Sequence, residues 1–410
     1  MRKGRYAPLV GLLAVAWCAF FIHACSAGPA FRDPSAIGDI TAAPRVQVGL
    51  SKAMRAESAA FAVRGPYAIT TERGVVEKGD ALEAKATSAG GITINERAFQ
   101  DAAVRVTCAR DGDLEIGGVR YHGDLLLVAD EDRQTRAPRI TLVNEVDLES
   151  YLKGVVGKEM SLSVGVEALK AQVIAARSYA MYEARHRTLR SRGERSEKFD
   201  LYDDERSQVY GGMERETDLA RKLVDETRGQ FAIWNGRLFK TFYSSTCGGH
   251  TEPATLILGE GEDVPPLRGT ACPYCEGSRH YRWTESFGKA DVAKKLFPES
   301  ANARLKSVRI TKTLPGGHAS EVAVALEGQS REVLLHANTE FRRKIDPRKI
   351  KSTLWEKIED GGDKIVITGR GWGHGAGLCQ VGAYKMAELG RSAAEILEHY
   401  YPSAKVQKLY

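Results

Sequence analysis

The stretch Asn144–Arg187 reads NEVDLESYLKGVVGKEMSLSVGVEALKAQVIAARSYAMYEARHR, and it decides the fold of the chain around it. In its second half, apolar residues recur at steps of three and four, the spacing of a helix that packs on one side. These positions are Val166, Leu169, Val173, Ala176 and Ala180. The pattern predicts a long helix from about Ser163 to His186. Gly154 and Gly157 predict a turn before it, in the neighbourhood of Glu159.

Glu159 stands between a short apolar run and this helix, whose predicted face carries Lys170 and Arg177 two turns apart. Gln172 and Tyr179 lie nearby in the sequence. One interpretation is a helix-capping carboxylate that pairs with the basic face. The other is a general acid, kept protonated by apolar neighbours. The residues alone leave both interpretations open.

The first 25 residues have the pattern of an export signal. A basic start, Met1–Arg5, precedes the uncharged apolar stretch Ala7–Ile22, which is shorter than the roughly 20 residues of a spanning helix. Cys25 follows a small residue, as in a bacterial lipoprotein cleavage site. We therefore predict an exported cell-envelope protein, anchored to the membrane by a lipid on Cys25. An uncleaved anchor and a plain signal peptide stay open as alternatives.

Composition and charge exclude several classes of protein. With 43% hydrophobic and 27% charged residues in 410, the chain is typical of globular proteins. The net charge is +6, and three of these charges come from Arg2, Lys3 and Arg5. No basic stripe is interleaved with aromatic residues, so we predict no nucleic-acid partner. A mild positive bias suits an acidic polymer.

The order of predicted elements indicates an α+β fold with a β-rich N-terminal region, a long helix, and a C-terminal Gly-rich loop with helices. After a linker at residues 26–43, short alternating runs predict strands over residues 44–138, with residues 77–98 either loop or strand. Further predictions are an exposed charged insertion at 188–207, a helix at 217–227, a β-hairpin at 230–245 that turns at Asn235-Gly236, a strand at 364–368 and closing helices at 379–389 and 393–400.

A group of Cys and His residues has the spacing of a metal site. Cys247 and His250 are followed by Cys272 and Cys275, which gives two pairs of zinc-type sulfur and nitrogen donors. A disulfide or small buried thiols are the alternatives, and His280 is a further candidate ligand. Cys108 and Cys379 stand apart in the sequence, so we predict them to be isolated small hydrophobic residues.

The stretch TGRGWGHGAGLCQVG, residues 368–382, places a glycine at every second position from Gly369 to Gly377. It fits neither the dinucleotide-binding pattern nor the phosphate loop with its Lys-Ser/Thr pair. A tight structural turn is the simplest interpretation, and a ligand-contacting loop is the alternative.

Several of these motifs, in this order, resemble the SpoIID/LytB family of bacterial cell-wall proteins. The resemblance rests on LVNEVDLESYLKGVVGKEM, EALKAQVIAARSYAM, DDERSQVYGGM, YSSTCGGHTEP, GRGWGHGAGLCQVGAYKMAELG and ILEHYYP, and it covers about residues 118–410. It divides the chain into a catalytic core at 139–245 and the C-terminal part of the same domain at 246–410.

The resemblance implies a lytic transglycosylase that cleaves the glycan strands of peptidoglycan, stripped of their peptides, with Glu159 as the catalytic acid. No cofactor is needed for that catalysis. The residues that the resemblance assigns to the substrate are Lys170, Gln172, Arg177, Tyr179, Ser244, Ser245, Trp372, His374 and Gln380. Among them Lys170 and Arg177 would orient the strand and stabilise charge, Trp372 would stack on a sugar, and His374 and Gln380 would donate or accept hydrogen bonds.

The resemblance also supports one structural zinc, held by Cys247, His250, Cys272 and Cys275. A different class remains open, because some relatives are wall-binding proteins without catalysis that stimulate an N-acetylmuramoyl-L-alanine amidase. A zinc-dependent peptidase or amidase would need an open metal position, which four protein ligands would close.

Overall fold

The structure is a computed structural model that describes residues 33–51, 57–87, 91–109, 112–131, 135–159, 165–190, 198–300 and 302–410. Of residues 158–159 and 188–190 only the backbone is described. The predicted leader with Cys25 lies outside the described residues, as does the first part of the predicted linker. No helix in the described ranges is long and apolar enough to cross a membrane.

A large sheet forms the N-terminal region and confirms the predicted β-rich architecture. Its strands are β1 Arg45–Gly49, β2 Ser58–Thr71, β3 Gly74–Thr87, β4 Ile92–Ile94, β5 Arg97–Phe99, β6 Ala103–Cys108, β7 Asp113–Ile116, β8 Val119–Tyr121, β9 Asp124–Glu131, β10 Pro138–Asp147 and the later β11. The order along the sheet is β11-β1-β10-β9-β6-β2-β3-β4-β5, with β7 paired to β2 and β8 paired to β7. All pairs are antiparallel except β1 with β11. Residues 77–98, ambiguous in the sequence, are therefore mostly strand.

Two helices follow β10. The helix α1 spans Leu148–Glu159, and the Asp147 carboxylate accepts hydrogen bonds from the backbone N–H of Glu149 at 3.0 Å and of Ser150 at 3.3 Å. The predicted turn around Gly154 is wrong, because α1 continues through it. A Cβ at Gly154 would lie 2.6 Å from the ring of Tyr210, so this glycine serves close packing rather than chain reversal.

The long helix α2, Val166–Arg190, confirms the main element predicted from the sequence. It differs from the prediction in its surroundings, because residues 171–183 are buried on every face. Small residues allow this arrangement, since Ala171, Ala175, Ala176 and Ala180 let neighbouring elements approach the helix backbone closely. The sheet, α1 and the C-terminal helices all pack against α2.

The remaining elements, in chain order, are β11 Leu201–Tyr202, α3 Asp218–Glu226, β12 Gln230–Ile233, β13 Tyr243–Ser244, α4 Ala254–Ile257, β14 Arg282–Gly288, α5 Lys289–Leu296, β15 Leu305–Thr313, β16 Ala319–Leu326, β17 Val333–His336, α6 Arg343–Ile345, β18 Leu354–Asp360, β19 Lys364–Arg370, β20 Leu378–Cys379, α7 Gln380–Glu388, α8 Ala393–Tyr400 and β21 Lys405–Lys408. Short 3-10 turns occur at Gly212–Arg215 and Pro265–Leu267, and a π-helical turn at Ala337–Arg342. The predicted helices α3, α7 and α8 and the strand β19 are confirmed.

Two predicted features differ from the structure. Asn235 and Gly236 do form a turn with positive φ, but only Trp234 and Arg237 pair across it. The strand β12 pairs instead with β21, a partner more than 170 residues away that the local turn pattern cannot indicate. Within the predicted exposed insertion, Phe199 and Leu201 are buried.

The described chain has two main hydrophobic cores. The first joins the large sheet to α1, α2, α3, α7 and α8. The second lies within residues 282–370, which we call the second-core segment, and it contains the three-stranded sheets β14-β19-β18 and β15-β16-β17. This segment leaves the first core after Cys275 and returns to it through the Gly-rich loop, residues 369–377.

Candidate functional site

The Gly-rich loop lies against the strand β13. Thr246 and Trp372 exchange backbone hydrogen bonds of 2.9 and 2.7 Å, and the Val381 N–H donates to the Ser245 carbonyl at 3.0 Å. The strands β13 and β20 pair in parallel, with Ser244 beside Cys379. Residues from two distant parts of the sequence, 243–246 and 372–381, therefore meet in one place.

Gln172, Ser244 and Gln380, which we call the buried polar cluster, come together here, because Gln380 contacts Gln172 and directly follows Cys379, the strand partner of Ser244. The Gln380 amide donates to Oε1 of Gln172 at 3.4 Å. Gln172 and Ser244 are buried, yet Nε2 of Gln172 and Oγ of Ser244 have no hydrogen-bond partner in the part of the chain that the structure describes. Buried polar atoms usually have partners. Each of these two atoms therefore marks a place for a polar ligand group or a water molecule.

Trp372 and Ser245 border this cluster and are partly exposed. The Trp372 ring meets the imidazole of His280 edge to face, with 4.3 Å between ring centroids. Ser245 Oγ lies 3.3 Å from the Thr246 hydroxyl. The predicted stacking residue therefore lies at the edge of the buried polar cluster, and its ring is held in place by His280.

His374 is already fully hydrogen-bonded, which corrects its predicted role. Its Nε2 donates to the Tyr243 carbonyl at 2.9 Å, and its Nδ1 accepts from the Ala376 N–H at 3.0 Å. The contact at Nδ1 requires the neutral ring, and burial lowers the pKa of His374 to about 4. His374 therefore fixes the shape of the Gly-rich loop and has no nitrogen left for a sugar.

Arg177 is also corrected, because its side chain is 0% exposed and cannot orient a strand. Its guanidinium makes a bidentate pair with Glu149, at 3.0 and 2.7 Å. The Tyr410 hydroxyl donates to the same carboxylate at 2.6 Å. Burial alone would raise the pKa of Glu149, but the Arg177 hydrogen bonds and charge outweigh it and hold that pKa below its usual value.

Tyr179 and Lys170, which also belong to α2, do not have the surroundings that the sequence predicted. Tyr179 is buried beside Phe242 and Lys240, so its ring cannot contact a substrate. Lys170 is 26% exposed and pairs with Glu226 at 3.1 Å and Glu167 at 3.3 Å. Of the two predicted cations, Lys170 alone reaches solvent.

Glu159 is the last residue of α1, and its side chain lies outside the described part of the structure. The sequence analysis missed Gln208, which connects α1 to α2. Gln208, from the motif DDERSQVYGGM, is buried and accepts a hydrogen bond from the Tyr151 hydroxyl at 3.1 Å. Its amide donates to the Ala176 carbonyl at 3.2 Å and to the Tyr243 hydroxyl at 2.8 Å. Gln208 therefore connects α1, α2 and β13, and a buried Gln inside a long motif was the available signal.

Four cysteines form the candidate metal centre. The sulfur atoms of Cys247, Cys272, Cys275 and Cys379 all lie within 4.8 Å of one another, and all four residues are buried. The Cys247 and Cys275 sulfurs are 3.6 Å apart, and no described cysteine is in a disulfide. Tetrahedral zinc with bonds of about 2.3 Å would hold its sulfurs about 3.8 Å apart. The donor set and its spacing fit zinc.

This cluster corrects two predictions. Cys379 is not an isolated hydrophobic residue but the fourth sulfur, brought there by the β13–β20 pairing. His250 does not join the sulfurs, and its ring lies against Gly316 in the turn between β15 and β16. His280 packs on Trp372 instead. The spacing between Cys275 and Cys379 is too long for any local motif to reveal.

The surroundings of the four sulfurs favour thiolates at some positions. The N–H groups of Cys247 and Gly382 each lie 3.3 Å from the Cys379 sulfur, and the Tyr400 hydroxyl lies 3.1 Å from the Cys272 sulfur. Hydrogen bonds from neighbouring thiols, that of Cys247 first, hold the pKa of Cys272 well below its usual value, while burial raises that of Cys379. A Cβ at Gly382 would lie 1.9 Å from the Tyr400 oxygen, so only glycine allows α7 to begin here.

Comparison with known proteins agrees with the motifs. A family model described as stage II sporulation protein matches residues 136–234, and a domain of unknown function (DUF8618) matches residues 274–377. The chain is 30% identical to stage II sporulation protein D of Bacillus amyloliquefaciens, over 65% of this chain and 76% of that one. It is 33% identical to an uncharacterized protein of Brachyspira hyodysenteriae, over 76% and 78% of the two chains. The amidase enhancer of Bacillus subtilis is 27% identical, over 61% of this chain and 39% of its own.

The helices α1 and α2 lie inside the region that the family model matches. The α+β fold and the order of the motifs indicate the same family as these comparisons. The chain belongs to the SpoIID/LytB family, that of stage II sporulation protein D.

Proposed function

We propose that this protein is a lytic transglycosylase that cleaves the glycan strands of peptidoglycan. The observation that carries the proposal is the buried polar cluster beside the Gly-rich loop, in a chain of this family that has Glu159 at the end of α1. Gln172 Nε2 can donate to a carbonyl of an N-acetyl group, and Ser244 Oγ can bind a sugar hydroxyl. Trp372 supplies an aromatic face at the rim of this cluster.

The proposed reaction needs one carboxyl group. Glu159 protonates the glycosidic oxygen as its bond to the muramic acid C1 breaks, which leaves Glu159 as a carboxylate. That carboxylate then accepts the proton of the muramic acid 6-hydroxyl as O6 bonds to C1 and a 1,6-anhydro ring closes. Water takes no part, so the second carboxylate of ordinary glycosidases is not required. Because Arg177 is ion-paired with Glu149, Lys170 and the Gly-rich loop orient the strand in this proposal.

The test is product analysis of purified glycan strands with the wild-type protein and the Glu159→Gln variant. Gln keeps the shape of Glu but cannot transfer the proton, so anhydromuramoyl ends should form at least about 100-fold more slowly. Binding to the strands and the melting temperature should stay near the wild-type values, because no apolar packing is lost. Unchanged turnover in the folded variant would falsify the role of Glu159.

A second candidate function is a wall-binding protein without catalysis that stimulates an amidase. The similarity to the amidase enhancer of Bacillus subtilis favours it. The same experiment separates the two functions, since the second predicts strand binding with no anhydromuramoyl ends from the wild-type protein. Adding a purified amidase should then increase the release of peptides.

We also propose that Cys247, Cys272, Cys275 and Cys379 hold one structural zinc. Four protein sulfurs would leave no open position for water or substrate, which argues against a zinc-dependent peptidase. The ion would connect β13, β20 and the start of α7, the elements that present Ser244 and Gln380. For localisation, the leader pattern supports export to the cell envelope with a lipid anchor on Cys25.

A further inference from the structure

The positive charge of the protein is concentrated in one part of the chain. Between Glu276 and Arg370 the sequence has 19 Lys and Arg residues against 13 Asp and Glu residues. This excess of six equals that of the whole chain, of which Arg2, Lys3 and Arg5 contribute three. The rest of the chain is therefore slightly acidic. An anionic partner would meet its most favourable potential on the second-core segment.

Within it, the sequence RRKIDPRKIK at residues 342–351, which we call the cationic segment, has six basic residues and one acidic residue. The acidic residue, Asp346, does not neutralise them by side-chain pairing. Its carboxylate accepts hydrogen bonds from the backbone N–H of Arg348 at 2.9 Å and of Lys349 at 3.1 Å. It therefore closes a turn that carries the basic side chains.

Arg342 holds the backbone of this segment in one shape. Its guanidinium is buried and donates to the carbonyls of Ile350 at 2.7 Å, Pro347 at 3.1 Å and Lys351 at 3.0 Å. A buried cation bonded to three carbonyls of a single turn fixes that turn, because breaking any of these bonds would leave a charged donor unsatisfied. The cations on its outer side are therefore held in position before any ligand binds.

Four of these cations face solvent without a direct ion pair. Arg343, Lys344, Arg348 and Lys349 are exposed, and no acidic side chain of the described residues lies within 4.0 Å of them. Like charges held this close repel one another, which a bound anion would relieve. The arrangement favours a partner with several negative charges along its length.

The cationic segment adjoins the Gly-rich loop. The Gly373 N–H donates to the Lys351 carbonyl at 2.8 Å, and Gly373 packs directly on Ser244. Burial, together with the charges of Arg279 and Lys351, lowers the pKa of His280, the residue that contacts Trp372. The cationic segment therefore meets the Gly-rich loop at Lys351, next to the residue that packs on Ser244.

We propose that the cationic segment is a second binding surface, which takes the carboxylates of an acidic glycan strand whose sugars occupy the polar cluster. The identity of the strand rests on the proposed function. Peptidoglycan strands carry carboxylates at regular intervals, either on the lactyl groups of muramic acid or on the stem peptides. Single exposed ion pairs are weak, but several on one polymer act together. The surface would capture the strand and hold its register while Glu159 acts elsewhere.

The test compares two variants that remove the same charge from the second-core segment of the full chain. One carries Arg343→Gln, Lys344→Gln, Arg348→Gln and Lys349→Gln. The matched control carries Lys294→Gln, Lys306→Gln, Lys312→Gln and Arg331→Gln, four exposed residues without a described acidic side chain within 4.0 Å. Binding to peptide-stripped strands at low salt should weaken at least about tenfold in the first variant and less than about twofold in the control. The first variant should also lose most of its salt dependence.

Two further ligands identify the carboxylates. Stripped strands with lactyl groups converted to methyl amides should bind the wild-type protein as weakly as the first variant binds the untreated strands. Strands that keep their peptides are measured in two forms, with free and with amidated peptide carboxylates. Weaker binding of the amidated form would show that the peptide carboxylates bind the cationic segment. Equal weakening in both variants, or weakening only toward phosphatidylglycerol vesicles, overturns the proposal. Because binding is measured without turnover, an absence of anhydromuramoyl ends would reject the proposed reaction and leave this result standing.

Discussion

Arg177 and Glu149 form a buried ion pair, with side-chain exposures of 0% and 2%. The pair is satisfied on all sides, since Arg177 also donates to the carbonyls of Gln230 and Val224, and the Tyr410 hydroxyl donates to Glu149. Such a pair contributes little compared with apolar residues of the same size. Removing one partner is costly, because the other charge stays buried alone. Its role is to join α1 and α2 to α3 and the C-terminal residues.

We predict that Arg177→Met lowers the free energy of unfolding by about 3–5 kcal/mol, since it leaves the Glu149 carboxylate buried without its cation. The matched control is Lys170→Met, which removes a surface cation and should cost less than about 1 kcal/mol. Urea unfolding of both variants measures the difference. If Arg177 instead oriented the strand, its variant would keep wild-type stability and lose activity.

The sequence could predict which residues share a face of α2. It could not predict which part of the helix is buried by other elements. Lys170 and Arg177 are seven residues apart, so the prediction of one basic face was sound helix geometry. Lys170 lies in the first turns, where the helix is partly exposed, whereas Arg177 lies in the fully buried stretch. The difference depends on α3 and on Tyr410, more than 40 and 230 residues away, which no local pattern includes.

The candidate metal centre belongs to the scale of elements, because its four sulfurs come from the region after β13, the loop before β14, and β20. Protein purified without chelators should contain about one zinc per chain. Cys379→Ser should lose most of that zinc and lower the melting temperature, since metal binding contributes folding free energy. Elemental analysis and thermal unfolding measure the two effects.

Two variants serve as controls for this prediction. His250→Ala should keep its zinc, because its ring lies against Gly316 and not among the sulfurs. Cys108→Ser should also keep it, because Cys108 belongs to β6 of the large sheet. If the His250→Ala variant lost its zinc and the Cys379→Ser variant kept it, the four-sulfur arrangement would be contradicted. The ligand set expected from the sequence would then be the better description.

Acid stability is a property of the whole molecule, and His374 and Glu149 both contribute to it. Burial lowers the pKa of His374 to about 4, against about 6.5 in unfolded chains. The unfolded state therefore binds more protons between these values, and up to about 3 kcal/mol of stability is lost as the pH falls from about 6.5 to 4. Glu149, whose folded pKa is lowered, adds a further loss as the pH falls below its unfolded value of about 4.3.

Urea unfolding between pH 7.5 and 3 should therefore show two successive losses of stability. Replacing His374 by Gln, which cannot be protonated, should reduce the first loss and leave the second. Glu149→Gln should reduce the second loss alone, although it lowers stability at every pH. A stability that stays constant between pH 6.5 and 4.5 in the wild-type protein would contradict the neutral, fully bonded His374.

On the scale of the molecule, local sequence patterns predicted the helices and turns correctly. They could not predict which distant elements pair with one another. The helix α2, the turn at Asn235-Gly236 and the closing helices follow from periodicity and turn chemistry within a few residues. The pairing of β12 with β21 and the position of Cys379 depend on how distant segments close over α2. The same reason explains why three of the four sulfurs could be predicted and the fourth could not.

The position of Cys275 and Cys379 has a consequence for how this protein can vary. Their sulfurs lie within 4.8 Å of each other, although about a hundred residues separate them in the chain. The chain thus leaves and re-enters the first core at one point, the geometry in which a host fold tolerates an inserted domain. Segments of different length and charge can be exchanged there without a change in the distance that their ends must span. The cysteine cluster therefore marks the two chain positions at which residues 276–378 could be replaced by another segment.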